Sequence, residues 1–193
     1  MGVEYEKKFR CEKAVQDAVL ATLSGSREDY RMGTTYFDTP TGDLSARKWT
    51  LRCRKENDSF LCTLKTPGQG SARREWETEE ADIASSIDKL CKLGAPQELK
   101  QLCTQGILPI CGAEFSRIAI TLSYGQSVLE IALDTGILTG GGSAAPIAEL
   151  EVELKSGSTA DADAFAAELA EKFGLEEEPK SKFSRALALY RGE

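Results

Sequence analysis

Glu4, Glu6 and Lys8 alternate near the start of the chain, and Glu149, Glu151 and Glu153 alternate in the same way near residue 150. In an extended strand every second side chain lies on one face, so each run presents a wholly charged row. The same parity puts Arg52 with Arg54, and Arg73 with Glu75 and Glu77, while Lys65, Arg117 and Asp134 stand on other strand-like runs. One such row on a half-buried sheet is ordinarily solvated surface. Several rows of like sign on neighbouring strands repel, unless an ion or ligand of opposite charge lies between them. Carboxylates in this number, in a chain with no histidine, form an oxygen-only donor set suited to Mg2+ or Mn2+. Arginine forks and lysine point charges on the same surface suit several phosphate groups at once. Metal ions and cations gathered around a phosphate chain are the recurring equipment of phosphoryl-transfer catalysis.

Composition narrows the alternatives. The missing histidine removes the serine-hydrolase triad and nearly every zinc-hydrolase arrangement. A formal charge of −7, from 24 basic against 31 acidic residues, opposes attraction to a nucleic-acid backbone, so no nucleic-acid partner is expected. Much of the acidic excess falls in residues 75–82 and 161–178, which leaves cationic positions concentrated elsewhere. No apolar run approaches the ~20 residues of a membrane span, and the N-terminus opens on charge without a signal-peptide core. The expectation is a soluble, cytoplasmic protein with no membrane partner. Six cysteines without a CxxC spacing read as reduced, mostly packing thiols.

The elements that must position the charged rows are short strands with covering helices. Strand patterns are read at 3–10, 34–38, 49–55, 59–66, 73–79, 113–123, 127–138 and 148–155, helices at 13–23, 82–93, 97–105, 161–173 and 181–190. Asp82 is placed to cap the second helix. The glycines at 140–142 lack the lysine and hydroxyl of a phosphate-binding loop and read as a flexible hairpin end. Eight or so meandering antiparallel strands protect their edges best by closure. The fold class expected is therefore α+β, an eight-stranded antiparallel closed β-barrel with flanking helices, in one domain over residues 1–193.

Glu4-Tyr5-Glu6-Lys7-Lys8 resembles the N-terminal ExExK motif of the CYTH, or triphosphate tunnel metalloenzyme, family. Further segments follow in the family's order: Leu51-Arg52-Cys53-Arg54, Thr63-Leu64-Lys65, Arg73-Arg74-Glu75-Trp76-Glu77, Ser116-Arg117, Leu133-Asp134-Thr135-Gly136, Glu149-Leu150-Glu151-Val152-Glu153 and Ser181-Lys182-Phe183-Ser184-Arg185. The resemblance runs from about residue 3 to about residue 190, so a separate C-terminal domain is not expected. It implies a barrel whose interior is a charged tunnel. It also implies that Glu4, Glu6, Glu151 and Glu153, with Asp134, hold Mg2+ or Mn2+, and that Lys8, Arg52, Arg54, Lys65, Arg73, Arg117, Lys182 and Arg185 clamp a triphosphate. Glu4, Glu6 and Lys8 form the implied catalytic set, Lys8 chiefly as a phosphate contact. Glu75 and Glu77 are read as holding the arginines. Activities in the family span inorganic and thiamine triphosphate hydrolysis, ATP cyclisation and RNA 5′-triphosphate removal. The expectation here is hydrolysis of a small triphosphate, most simply inorganic tripolyphosphate to diphosphate and phosphate. The rival from another class is a noncatalytic polyphosphate- or nucleotide-binding module.

Overall fold

The computed structural model describes the backbone of residues 2–68 and 73–193, and the side chains within those ranges from Tyr5 onward. The chain runs β1 (Gly2–Glu4), β2 (Glu6–Arg10), α1 (Lys13–Leu20), β3 (Ser26–Asp38), α2 (Asp43–Ala46), β4 (Thr50–Glu56), β5 (Ser59–Pro67), β6 (Arg73–Glu79), α3 (Ile83–Lys92) and α4 (Glu98–Leu102). It continues through β7 (Leu108–Tyr124), β8 (Ser127–Gly140), β9 (Ser143–Ser156), α5 (Thr159–Phe173), β10 (Glu176–Glu177) and α6 (Lys182–Arg191). The α+β class is as expected. The eight-stranded closed barrel is not: the described residues form one antiparallel sheet of ten strands in the order β1-β6-β5-β4-β3-β7-β8-β9-β2-β10. Its hydrogen-bonded ladder ends at β1 and β10 instead of closing.

The difference arises at Tyr5. The single strand read at 3–10 divides there, β1 pairing with β6 and β2 with β9. Because Tyr5 alone separates the two halves, the distant strands β6 and β9 are brought to either side of it and the sheet curls. Tyr5 keeps one ladder bond, accepting from the Leu154 amide at 3.0 Å.

Strand parity divides packing from charge. Phe9, Leu150 and Leu133 are register partners across β2, β9 and β8. With Ile131, Val152 and Leu129 they form a buried layer against Val19 of α1 and Phe165 and Leu169 of α5. Leu51, Leu64 and Trp76 align likewise across β4, β5 and β6 and pack with Leu44, Ile87, Leu90 and Leu99 of α2, α3 and α4. Each fully buried leucine stabilises the fold by about 1.5–3 kcal/mol. A third group, including Met32, Tyr36, Phe115, Leu138 and Ile147, packs on Ala186 and Phe183 of α6. Helices α1–α5 thus cover the apolar parity, while α6 packs on the charged parity and brings Lys182 and Phe183 to the concave side.

Helix ends agree with their local chemistry. Asp82 accepts from the Ser85 amide at 2.7 Å and Ser181 from the Ser184 amide at 3.0 Å, so both begin their helices as N-caps. The helix read at 97–105 is shorter, α4 giving way to a 3-10 turn at Cys103–Gln105. The glycine segment is a tight hairpin turn: Gly141 and Gly142 have φ of 59° and 83° between β8 and β9. It also seats α6, because a β-carbon on Gly140 would lie 2.5 Å from the Ala186 carbonyl oxygen. Among the cysteines, Cys53 and Cys62 are joined as a disulfide, correcting the expectation of six thiols. They are register partners across β4 and β5, a proximity that their spacing of nine residues hides. Burial pushes the Cys11 thiol up to about 11 and that of Cys111 to about 12, as suits inert packing residues.

Candidate functional site

The concave side of the curled sheet encloses a cavity of about 380 Å3, lined by eight basic and seven acidic side chains among the described residues. That volume lies at the lower end of the ~300–1,000 Å3 usual for small-molecule sites. Strand order sorts the charges into two walls.

Adjacent strands β4, β5 and β6 carry Arg52, Arg54, Lys65 and Arg73 on the first wall. Arg52 lies 3.8 Å and Lys65 3.3 Å from Glu75, and Glu77 accepts from Thr63 Oγ1 at 3.1 Å. Glu75 thus holds two of the cations along the wall. Arg73 donates to the carbonyls of Lys48 (3.0 Å) and Lys65 (3.2 Å) and to Thr50 Oγ1 (3.2 Å), which ties it to the strand ends. Arg54 pairs with Glu56, but its Nε is buried without a hydrogen-bond partner. Burial, then the adjacent Arg52, brings the Arg54 guanidinium down to about 10. An anion placed there would satisfy the donor and reverse the electrostatic penalty.

The second wall carries both signs, Glu6, Glu130, Glu151 and Glu153 beside Lys8, Arg117, Lys155 and Lys182, with its carboxylates gathered in a row. Glu6, Glu153 and Glu130 are register partners across β2, β9 and β8. All three line the cavity, with side chains 33%, 27% and 20% exposed. Three carboxylates directly opposite one another repel. Two lysines moderate the row: Lys8 lies 3.6 Å from Glu6, and Lys155 lies 3.1 Å from Glu153 and 4.0 Å from Glu130. The donor set is all oxygen and partly open to the cavity, so it fits a hard divalent cation.

Deeper in, Asp134, Glu149 and Glu151 bring carboxylate oxygens within 4.8 Å of one another. Taken alone, that proximity also suggests a metal site. Its anionic charge is already answered, however. Arg117 donates to both oxygens of Asp134 at 2.7 Å and to Glu151 at 2.6 Å, and Lys182 lies 2.7 Å from Asp134 and 2.9 Å from Glu151 and also contacts Glu149. Arg185 completes the network by pairing with Glu149. Three cations thus face three carboxylates. Burial alone would push the Glu151 carboxyl upward, but Lys182, Arg117 and Lys8 hold it well below its ordinary value. Burial likewise opposes charge on Arg117, yet Glu151 and Asp134 keep it protonated well above its usual range. Gln16 of α1 fixes this region from outside, donating to the Asp134 carbonyl at 3.0 Å and the Glu149 carbonyl at 3.3 Å.

Of the residues singled out in the sequence, Glu6, Lys8, Arg52, Arg54, Lys65, Arg73, Arg117, Glu151, Glu153 and Lys182 line one cavity. Asp134 and Arg185 do not; they belong to the buried network beneath it. The Glu4 side chain lies outside the described residues. Sequence reasoning passed over Glu130, Glu56 and Lys155 as lining residues. Their signal was parity with Asp134, Arg54 and Glu153. Glu149, which in the sequence is one more member of a charged row, is 1% exposed and belongs to the buried network. Within the acidic stretch 161–178, Glu178 is buried and accepts from Arg10 Nε at 3.1 Å.

Comparison with known proteins gives concordant results. The chain matches the CYTH domain over residues 2–187. It is 32% identical over 132 residues to an inorganic triphosphatase of Haemophilus influenzae, an alignment covering 67% of this chain but 38% of that protein. The match therefore spans well under half the length of that relative. In structure it is similar to a Pyrococcus horikoshii protein, with TM-score 0.65 and 21% identity over 95% of this chain and 98% of the other. It is also similar to a Hippeastrum adenylyl cyclase candidate described as having a dominant triphosphatase activity, with TM-score 0.64 and 17% identity over 100% and 96% of the two chains. At these identities the two structural likenesses concern the fold.

Proposed function

Since the chain belongs to the CYTH domain family, we propose that it hydrolyses a small triphosphate, most simply inorganic tripolyphosphate to diphosphate and phosphate, with Mg2+ or Mn2+. The observation that carries this function is the division of one cavity into an arginine- and lysine-bearing wall and an opposing row of carboxylates. A phosphate chain needs cations along its length, and the cation that activates it needs hard oxygen donors at one end. The curled sheet serves as the wall of a tunnel for that chain.

In this mechanism Arg52, Arg54, Lys65 and Arg73 hold phosphate oxygens from one wall, Arg54 through its unpartnered Nε. Lys8, Arg117 and Lys182 reach the same space from the other side. Glu6, Glu151 and Glu153 would hold the metal, with Glu4 as the further ligand implied by its place in ExExK. Asp134 acts through Arg117 and Lys182, which it holds, and Arg185 through Glu149. When bound, the metal neutralises phosphate oxygens and orients water for attack on the terminal phosphorus. The protein's share is positioning and charge, so no covalent intermediate is required.

Two features favour inorganic triphosphate over a nucleotide. Trp49 and Trp76 are packed in the helix-covered core, and of the aromatics that line the cavity Tyr36 packs on Phe183, Phe115 lies against Arg117 and Lys182, and Tyr30 donates to Glu28. The net charge of −7 disfavours RNA. The test is phosphate release from tripolyphosphate with Mg2+ or Mn2+, with ATP and thiamine triphosphate in parallel. Metal-dependent release, fastest from tripolyphosphate, is expected. Conversion of ATP to cyclic AMP with little phosphate from tripolyphosphate would overturn the substrate assignment. Tight tripolyphosphate binding with no turnover of any substrate would favour a binding module.

A further inference from the structure

Glu151 has two claims on it. It lines the cavity, yet both of its oxygens are engaged from within, one by Lys182 at 2.9 Å and one by Arg117 at 2.6 Å. Lys182 and Arg117 also line the cavity, so the pairs that hold Glu151 occupy charge that a phosphate would otherwise meet. Glu149 and Arg185 do not line it. Glu149 is 1% exposed and contacts both Lys182 and Arg185, and Arg185 reaches Glu178 at 4.0 Å on its far side.

We propose that the buried Glu149 and Arg185 pair sets how tightly Lys182 and Arg117 hold Glu151, and thereby couples divalent-cation binding to phosphate binding. Both are positioning residues in this scheme, and it rests on the triphosphate function proposed above. With Glu151 in place, the network balances Asp134, Glu149 and Glu151 against Arg117, Lys182 and Arg185. When Glu151 turns toward a bound cation, two carboxylates remain against three cations, and the excess positive charge sits on the two residues that face the cavity. Phosphate is then attracted where before it was screened. Reciprocity requires that phosphate binding favour release of Glu151 to the cation by the same factor.

Opposite substitutions must then act with opposite signs. Glu149→Gln, close to isosteric, leaves excess positive charge in the resting network, so Lys182 and Arg117 grip Glu151 harder. Mn2+ alone should bind about tenfold more weakly, and tripolyphosphate without metal about tenfold more tightly. Arg185→Gln removes a cation and should shift both affinities the other way. The double variant restores the balance and should return both toward wild type.

The experiment measures Mn2+ binding without phosphate by electron paramagnetic resonance, and metal-free tripolyphosphate binding by calorimetry, on the full chain and three variants. Thermal melts confirm that each is folded. The result expected is the crossed pattern, with the double variant near wild type. A merely structural role weakens both ligands in both single variants, and that outcome, or unchanged affinities, overturns the proposal. If the wild type binds no tripolyphosphate, the triphosphate function fails, while the opposed Mn2+ shifts still decide whether Glu149 and Arg185 control Glu151. A single variant that does not fold is replaced by the charge-balanced double, whose departure from wild-type Mn2+ affinity by tenfold would equally count against the scheme.

Discussion

Replacing Lys182 by methionine keeps most of the side chain's length and removes a cation that touches Asp134, Glu149 and Glu151 together. Burial works against charge on this lysine, but Glu151, Asp134 and Glu149 hold its pKa well above the ordinary value, so the folded protein carries it protonated. Without it, among the described residues Arg117 and Arg185 remain in contact with the three buried carboxylates, with Lys8 acting on Glu151 from farther off. Breaking a buried ion pair by removing one partner costs roughly 3–5 kcal/mol. The two remaining arginines place this case near the lower end, about 3 kcal/mol. For a chain of 193 residues, with ~2–4 °C lost per kcal/mol, the melting temperature should fall by about 6–12 °C. Urea unfolding at neutral pH, with an unchanged slope, gives the loss directly. Adding Glu149→Gln to Lys182→Met leaves two carboxylates against two cations, and the double variant should be more stable than the single one. A single-variant loss below about 1 kcal/mol, or a double variant no more stable than the single, would refute the charge-balance reasoning.

Other consequences concern the scaffold. Leu64→Ala, at a fully buried position between Leu51 and Trp76, should cost about 2–5 kcal/mol in urea unfolding. Gln16→Leu removes the donor to the Asp134 and Glu149 carbonyls and the acceptor of Thr135 Oγ1, and should cost about 1–3 kcal/mol, read as a lower urea midpoint. For Glu178, burial would raise the carboxyl, but the Lys180 amide, Arg10 and Arg185 outweigh it and hold the pKa below the ordinary value. Its stabilisation is therefore present above the unfolded value of ~4.3 and is lost as pH falls through the lower folded value. Glu178→Gln should flatten the stability–pH curve in that acidic window, and an unchanged slope would contradict the assignment.

The parity of charge along each strand is local, and so it was legible. Arg52 with Arg54 and Glu151 with Glu153 share their faces because strand periodicity admits nothing else. What parity does not say is whether a charged face looks at water or at another charged face. That depends on the curl of the sheet, which follows from the division at Tyr5 and the separate pairing of β1 and β2. No propensity marks Tyr5 as a break, since a tyrosine between two glutamates reads as continuous strand. For the same reason Asp134 and Glu130, four residues apart on β8, look equivalent in sequence, while one is sealed beneath Arg117 and Lys182 and the other faces the cavity. The pairing of Cys53 with Cys62 and the seating of α6 on Gly140 depend on cross-strand register and helix docking, both long-range. The short helix α2 escaped notice because its start is fixed by Asp38, whose carboxylate accepts from the amides of Leu44 at 2.9 Å and Ser45 at 3.0 Å.

In the proposed function the two walls of the cavity act together on a triphosphate. Steady-state phosphate release from tripolyphosphate, measured for wild type, Glu6→Gln and Arg54→Ala with Arg31→Gln as a control outside the cavity, tests it most directly. Metal-dependent turnover should fall by roughly a hundredfold or more in the first two variants and be retained in the control, with all four proteins folded at the assay temperature. Turnover that survives both Glu6→Gln and Arg54→Ala would contradict it.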